Sequence, residues 1–348
     1  MKTIFYITAK LVTLIGISFG MMACSEVSFA PAPKELASAE APVTGSDSKL
    51  TESFFFNNNN SERFVDVLFV VDNSTSMTEE QNKLGDRLDA FIGSLSQVDW
   101  QIGITSTDVS NGSFGAKGSL LTLDGTSSKI LKATTPNYNT IFKNSVVRNE
   151  TLDCQTTAVC PSNNEQPLRA SMMAMDKRAT ANAGFFRENA DLVIVILSDE
   201  DEMSSGPAEA TSADQVIAHF KSIWGEEKKL SAFAIIVEPG DSVCYSDQYL
   251  TAGTYGDYAA DLVLKTGGVT GSICDTDYSD SLSKIGENVN QLLNYIVLKK
   301  DPDVEGMDLV ISPYDADLTW KVKGRRITFN KTPAEGTRID VVYDPVKL

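Results

Sequence analysis

Two groups of oxygen-bearing side chains are placed to do chemistry in these 348 residues. One is Asp72-Asn73-Ser74-Thr75-Ser76, an Asp-x-Ser-x-Ser pattern that directly follows the apolar run 64–71. The other is Ser198-Asp199-Glu200-Asp201, which directly follows the apolar run 192–197. Two serine hydroxyls, a third hydroxyl and two carboxylates make a hard oxygen set suited to Mg²⁺ or Ca²⁺. The pattern alone is common, because Asp and Ser are common. Its position is informative: open α/β sheets bind ligands beyond the carboxyl ends of their central strands. Acyl-transfer chemistry is poorly served. His219 is the only histidine, so a Ser-His-Asp mechanism has to pass through it. It falls in the helical pattern 212–224 as a surface or packed side chain, and His-rich zinc sites are excluded.

The elements that hold these groups can be read from apolar periodicity. The run 64–71 suits a strand covered on both faces. A helix follows, with Thr78 and Gln81 as a capping pair and Leu84, Leu88, Phe91, Ile92 and Leu95 on one face. The alternation recurs as strands near 100–105, 119–123 (an edge), 192–197, 232–237 and 269–273. Helices fall near 165–178, 213–224, 255–265 and 281–295. This implies an α/β fold with a doubly wound, mainly parallel sheet. From Asp301 the pattern changes to short alternating segments at 307–312, 318–322, 326–329 and 338–343, with turns at Gly324 and Gly336. They form a small C-terminal antiparallel β module.

Residues 62–298 resemble the von Willebrand factor type A family, and the resemblance rests on Asp72, Ser74 and Ser76 and on Asp199 at the end of its strand. That resemblance implies one divalent cation, Mg²⁺ or Ca²⁺, bound by three loops above the sheet. Asp72, Ser74 and Ser76 come from the first loop and Asp199 from the third. Aligning the middle loop on the helix at 165 puts Ser162 at the ligand position, with Thr156 or Thr157 as alternatives. Helix capping by Ser74 and Ser76, and a capping box of Ser162 with Glu165, compete with this reading. Asp201 and Glu202 read as a solvated acidic loop. Ser-Asp-Glu-Asp with a following Gly-Gly and Cys is similar to a branch found in bacterial surface lipoproteins.

Residues 1–23 carry Lys2 and Lys10, an apolar stretch and then Ala23, the layout of a secretory leader. Met21-Met22-Ala23-Cys24 resembles a bacterial lipobox, which implies lipidation at Cys24; the alternative is an ordinary leader with Cys24 left as a thiol. Ser25 resembles an outer-membrane delivery signal. With Cys24 set aside, Cys154, Cys160, Cys244 and Cys274 can pair in three ways. Cys154–Cys160 with Cys244–Cys274 is favoured, since each pair lies in one inter-element region. Residues 24–60 lack core periodicity and read as a tether, followed by the main domain at 61–300 and the β module at 301–348.

The net charge of −17 repels phosphate backbones, so nucleic acid is excluded as a partner. Hydroxyl ligands are neutral and leave a bound ion undercompensated. An open coordination position then favours a carboxylate from outside, so the expected partner is a protein presenting Asp or Glu, met at the bacterial envelope. The set calls for no catalytic base, and the expected function is adhesion or binding without turnover. The alternatives are an envelope scaffold that docks through the β module and a metal-assisted hydrolase.

Overall fold

The computed structural model describes residues 49–56, 64–95, 98–154, 160–204, 209–225, 228–292 and 294–346. The leader 1–23, Cys24, residues 24–48 of the tether, Thr156 and Thr157 lie outside the described residues.

Strand β1 (Leu50–Phe56) opens the described chain, followed by β2 (Phe64–Val71), α1 (Thr78–Gly85), α2 (Leu88–Ser94) and β3 (Asp99–Ser106). Next come β4 (Leu131–Lys132), α3 (Tyr138–Val146), α4 (Asn149–Cys154), α5 (Pro167–Asp176) and β5 (Ala190–Leu197). Then follow α6 (Ala213–Trp224), β6 (Leu230–Ile236), α7 (Ser242–Gln248), α8 (Asp257–Thr266), β7 (Thr270–Ser272) and α9 (Ser279–Leu292). The chain closes with β8 (Tyr295–Val297), β9 (Asp308–Ser312), β10 (Trp320–Lys323), β11 (Arg326–Phe329) and β12 (Thr337–Tyr343).

The main sheet has the order β4-β3-β2-β5-β6-β7, and only β4 runs antiparallel to its neighbour. Winding runs outward in both directions from β2 and β5, so the switch point lies between those two strands, where such sheets open a ligand crevice. Alternation on β2 explains why the run is apolar throughout. Val67, Phe69 and Val71 pack with Leu84, Phe91 and Leu282 on one face, while Leu68 and Val70 pack with Leu168, Phe220 and Leu262 on the other. Each such side chain, fully buried, contributes about 1.5–3 kcal/mol. The two central strands are therefore fixed rigidly, and so are the loops that leave them. Among the described residues, no helix is long and apolar enough to cross a membrane.

Two smaller sheets, β1-β12-β9 and β10-β11-β8, enclose Phe54, Phe56, Ile327, Phe329, Ile339 and Val341. The doubly wound sheet and the antiparallel module are as the sequence implies, but the boundaries shift. The tether does not reach residue 60, because residues 50–56 form β1 and pair in register with β12, Leu50 opposite Tyr343 and Phe56 opposite Thr337. The module also begins before 301, since β8 pairs with β11. The expected edge strand at 119–123 is a loop; Leu121 gives one backbone bond to Ile104, and the edge strand is β4. Thr78 and Gln81 do not cap α1. The Gln81 side chain is turned instead to the backbone oxygen of Asp72, at 2.8 Å.

Candidate metal centre

The first loop is built by its own short-range hydrogen bonds. Asp72 continues the ladder past β2 by donating its amide to the Leu197 carbonyl, and its Oδ1 accepts the Ser74 amide at 2.8 Å. This turn directs the Ser74 and Ser76 hydroxyls to each other, 3.0 Å apart. Neither serine side chain caps the helical turn that follows. A second layer holds the loop from behind. Gln81 Nε2 donates to the Asp72 carbonyl and to Thr151 Oγ1, Thr151 donates to the Asn73 carbonyl, and the Arg148 amide donates to Gln81 Oε1.

The third loop faces the first across the switch point. Ser198 donates to Asp72 Oδ2 at 2.6 Å and accepts the Glu200 amide at 3.2 Å. Asp199 is buried, and neither of its carboxylate oxygens has a hydrogen-bond partner. Burial, then the Asp72 carboxylate, push its pKa well above the carboxylate range, with Ser76 acting in the opposite direction. Burial also raises Asp72, against the donors Ser198 and Ser74.

Two further acids meet this pair. Glu165 is completely buried; its Oε2 accepts the Thr107 hydroxyl and its Oε1 has no partner. Burial, then Asp72, push it well above the carboxylate range. Glu200 is raised to about 7 by burial, and its Oε2 also lacks a partner. The charged groups that shift Asp199, Glu165 and Glu200 are other carboxylates. Unpaired charge at such depth costs several kcal/mol, so the group must either hold protons or hold a cation.

Among the described residues, no three Asp, Glu, His or Cys side chains converge closely enough to bind a metal by themselves. Asp72 and Asp199 would need the Ser74 and Ser76 hydroxyls to complete a set of hard oxygens. The orphaned oxygens of Asp199 meet this requirement, and the residues present fit a divalent cation. Ser162 is placed differently from the others. It is half-buried, its amide donates to Asp108 Oδ2 and its hydroxyl accepts the Asn164 amide, so none of these partners is shared with Asp72 or Asp199. The capping box with Glu165 is also absent: that carboxyl accepts the Thr107 hydroxyl, and α5 starts after it, at Pro167. Thr107 directly follows β3, which runs parallel to β2 in register, so the end of β3 also borders the site.

Asp201 and Glu202 are not a solvated loop. Asp201 accepts the Tyr258 amide at the start of α8, and Glu202 accepts the Leu168 and Arg169 amides at the start of α5. Each offsets the unpaired N–H groups and partial positive charge of a helix N-terminus. The four-acid run is thus divided: Asp199 and Glu200 face the site, while Asp201 and Glu202 anchor its loop to two helices. His219 faces Asp176, with Nε2 3.0 Å from Oδ1.

Both bridges expected from the sequence are formed, Cys154–Cys160 and Cys244–Cys274. The first joins the end of α4, whose Thr151 braces Asn73, to the segment that leads to Glu165. The second joins α7 to the residues after β7.

No family model and no curated protein matches the chain. Among solved structures, it is similar to the pilus adhesin SpaC from Lactobacillus rhamnosus GG, with 8% identity over 85% of this chain and 40% of that one and a TM-score of 0.33. It is similar to manganese-loaded TRAP of Plasmodium vivax, with 10% identity over 82% and 99% of the two chains and a TM-score of 0.33. A third is proximal thread matrix protein 1 from the mussel byssus, in a form with a zinc-occupied MIDAS motif, with 12% identity over 69% and 50% and a TM-score of 0.32. The chain spans less than half the length of the pilus adhesin. At these identities and scores the likeness does not extend to function. The sheet order brings the Asp72 and Asp199 loops together at the switch point, the arrangement that the sequence resemblance implies.

Proposed function

We propose that this von Willebrand factor type A-like chain is a protein-binding module of the adhesive kind, anchored in the bacterial envelope, that engages its partner through one divalent cation. One observation carries the reading: Asp199 is buried with both oxygens unpartnered, beside Asp72, Ser74 and Ser76. Asp72, Ser74, Ser76 and Asp199 would hold the ion, which is Mg²⁺ or Ca²⁺ given the oxygen donors. Bound there, the ion supplies Lewis acidity toward an outside oxygen. The protein's part is to fix the donors and exclude water below them. Ser162, or Thr156 or Thr157, stays the proposed contribution of the middle loop. The partner group is an Asp or Glu carboxylate. Attachment is through lipid on Cys24, with the outer membrane as destination. We expect no turnover, since the single histidine, His219, lies on α6 beside Asp176 and not in the Asp72 or Asp199 loop.

The test is recovery of partner from envelope extracts by the immobilised protein. Recovery in Mg²⁺ or Ca²⁺ that is lost in excess chelator and in Asp199→Ala supports the reading, and undiminished recovery in chelator refutes it. A scaffold role has one observation in its favour, the exposed Val310, Tyr314 and Trp320 of the β module. Trp320→Ser that abolishes recovery while ion binding persists would favour that role.

A further inference from the structure

The loop after Asp199 also borders a second feature. Asp201, Glu202 and Met203 line an open cavity of about 350 Å³ together with Tyr245, Tyr255 and Tyr258. The Tyr245 and Tyr255 rings are stacked, with centroids 4.5 Å apart and planes inclined by 16°. Asp257 is exposed, and among the described residues no Lys or Arg lines the cavity. Asp257 supplies the exposed carboxylate of this cavity, while the Asp201 and Glu202 carboxyls accept backbone amides. Beyond the rings, Tyr249 packs on Tyr245, and Val243, Tyr249 and Leu250 of the α7 segment project into solvent, Leu250 at 89% exposure.

Ring faces carry partial negative charge, and a carboxylate beside them strengthens the field. An anion is repelled from such a cavity, and a neutral apolar group gains the ring contact without the charge. An organic cation gains both. We propose that this cavity receives a lysine or arginine side chain of a protein partner. The argument for a protein rather than a small amine is the exposed apolar rim, since aromatic and aliphatic groups around a pocket are what the centre of a protein interface uses. The rim is also rigid, because Cys244 in α7 is tied to Cys274. Rigid contacts lose less entropy on binding. The proposal builds on the protein-binding reading above but does not need the ion.

The test is an amide NMR titration of the chain from Asp47 onward, which is one compact unit. The probes are N-acetyl-lysine methylamide, N-acetyl-arginine methylamide, the neutral N-acetyl-norleucine methylamide and tetramethylammonium, each in Mg²⁺ and in chelator. The expected result is saturable shifts at amides 254–258 with the two cationic amino-acid probes, absent with norleucine and present in chelator. Tyr258→Leu and Asp257→Asn should each weaken them about fivefold, the size of a partly exposed cation–π or charge contribution, with the amide dispersion of the folded chain retained. Equal shifts from norleucine, or no shift from any probe, would overturn the proposal. So would tetramethylammonium binding more than about tenfold tighter than lysine, which would assign the cavity to a small quaternary amine. Cation shifts without measurable Mg²⁺ or Ca²⁺ binding would count against the ion reading alone.

Discussion

The hydroxyl of Ser198 donates to Oδ2 of Asp72 at 2.6 Å, tying the ends of the two strands that flank the switch point. The same hydroxyl accepts the Glu200 amide, so one side chain sets the spacing of both acidic loops. Ser198→Ala removes this tie from a buried carboxylate. We expect a stability loss of about 1–3 kcal/mol by denaturant unfolding, together with weaker ion binding by calorimetry. Unchanged affinity for the ion would mean that the loops hold their positions without it.

Glu202 accepts the Leu168 and Arg169 amides at the N-terminus of α5, and the Thr211 amide as well. Burial raises Glu202 to about 7, so at neutral pH it acts mainly as a pair of acceptor oxygens, and Glu202→Gln turns one of them into an NH2 that faces an amide donor. The expected cost is about 1–2 kcal/mol in urea unfolding. A neutral outcome would return Glu202 to the role of a solvated acid.

The pH dependence of the ion-free protein follows from the direction of the shifts. Glu200 is raised to about 7, and Glu165 and Asp199 are raised further. Where a folded carboxyl has the higher pKa, the native state binds the extra proton, so stability falls as pH rises from the unfolded value through the folded one. In chelator the melting temperature should therefore fall between pH 5 and pH 8. Saturating Mg²⁺ or Ca²⁺ should reduce the fall, because ligated carboxylates stay ionised. It should not remove it, since Asp66 and Asp201, both raised to about 6, titrate in the same direction. A melting temperature in chelator that is flat or rising over this range would contradict the buried, uncompensated state of these acids.

The Cys244–Cys274 bridge closes a separation of 30 residues. The chain-entropy relation gives about 3–4 kcal/mol for such a loop. The double Ser variant should lose that amount in denaturant unfolding and leave ion affinity nearly unchanged, since Cys244 and Cys274 belong to α7 and the end of β7 rather than to the acidic loops. A large loss of ion binding would show that the α7 segment shapes the site.

What the sequence revealed and what it hid follow the range of the contacts. β2 and β5 could be read from unbroken apolar runs, and Asp72 and Asp199 came with them, because a residue at the end of a buried strand is placed by that strand. β1 could not be read, since its partner β12 is almost the whole chain away and its Leu-Thr-Glu-Ser-Phe alternation follows a stretch without core pattern. Glu165 was visible only as a helix-capping residue. Its burial depends on Thr107, which donates to it from just beyond a strand 58 positions earlier. Asp201 and Glu202 read as solvated because acidic runs usually are, and the helix ends that they cap belong to segments distant in sequence.

The central claim is that the orphaned oxygens of Asp199, with Asp72, Ser74 and Ser76, form a site for one divalent cation. The direct measurement is calorimetric titration of Mg²⁺ and of Ca²⁺ into the chain from Asp47 onward, beside an Asp72→Ala, Asp199→Ala double variant. The account predicts saturable binding of about one ion to the wild type and none to the variant. A folded wild type that takes up neither ion, or a variant that binds as well as the wild type, would contradict it.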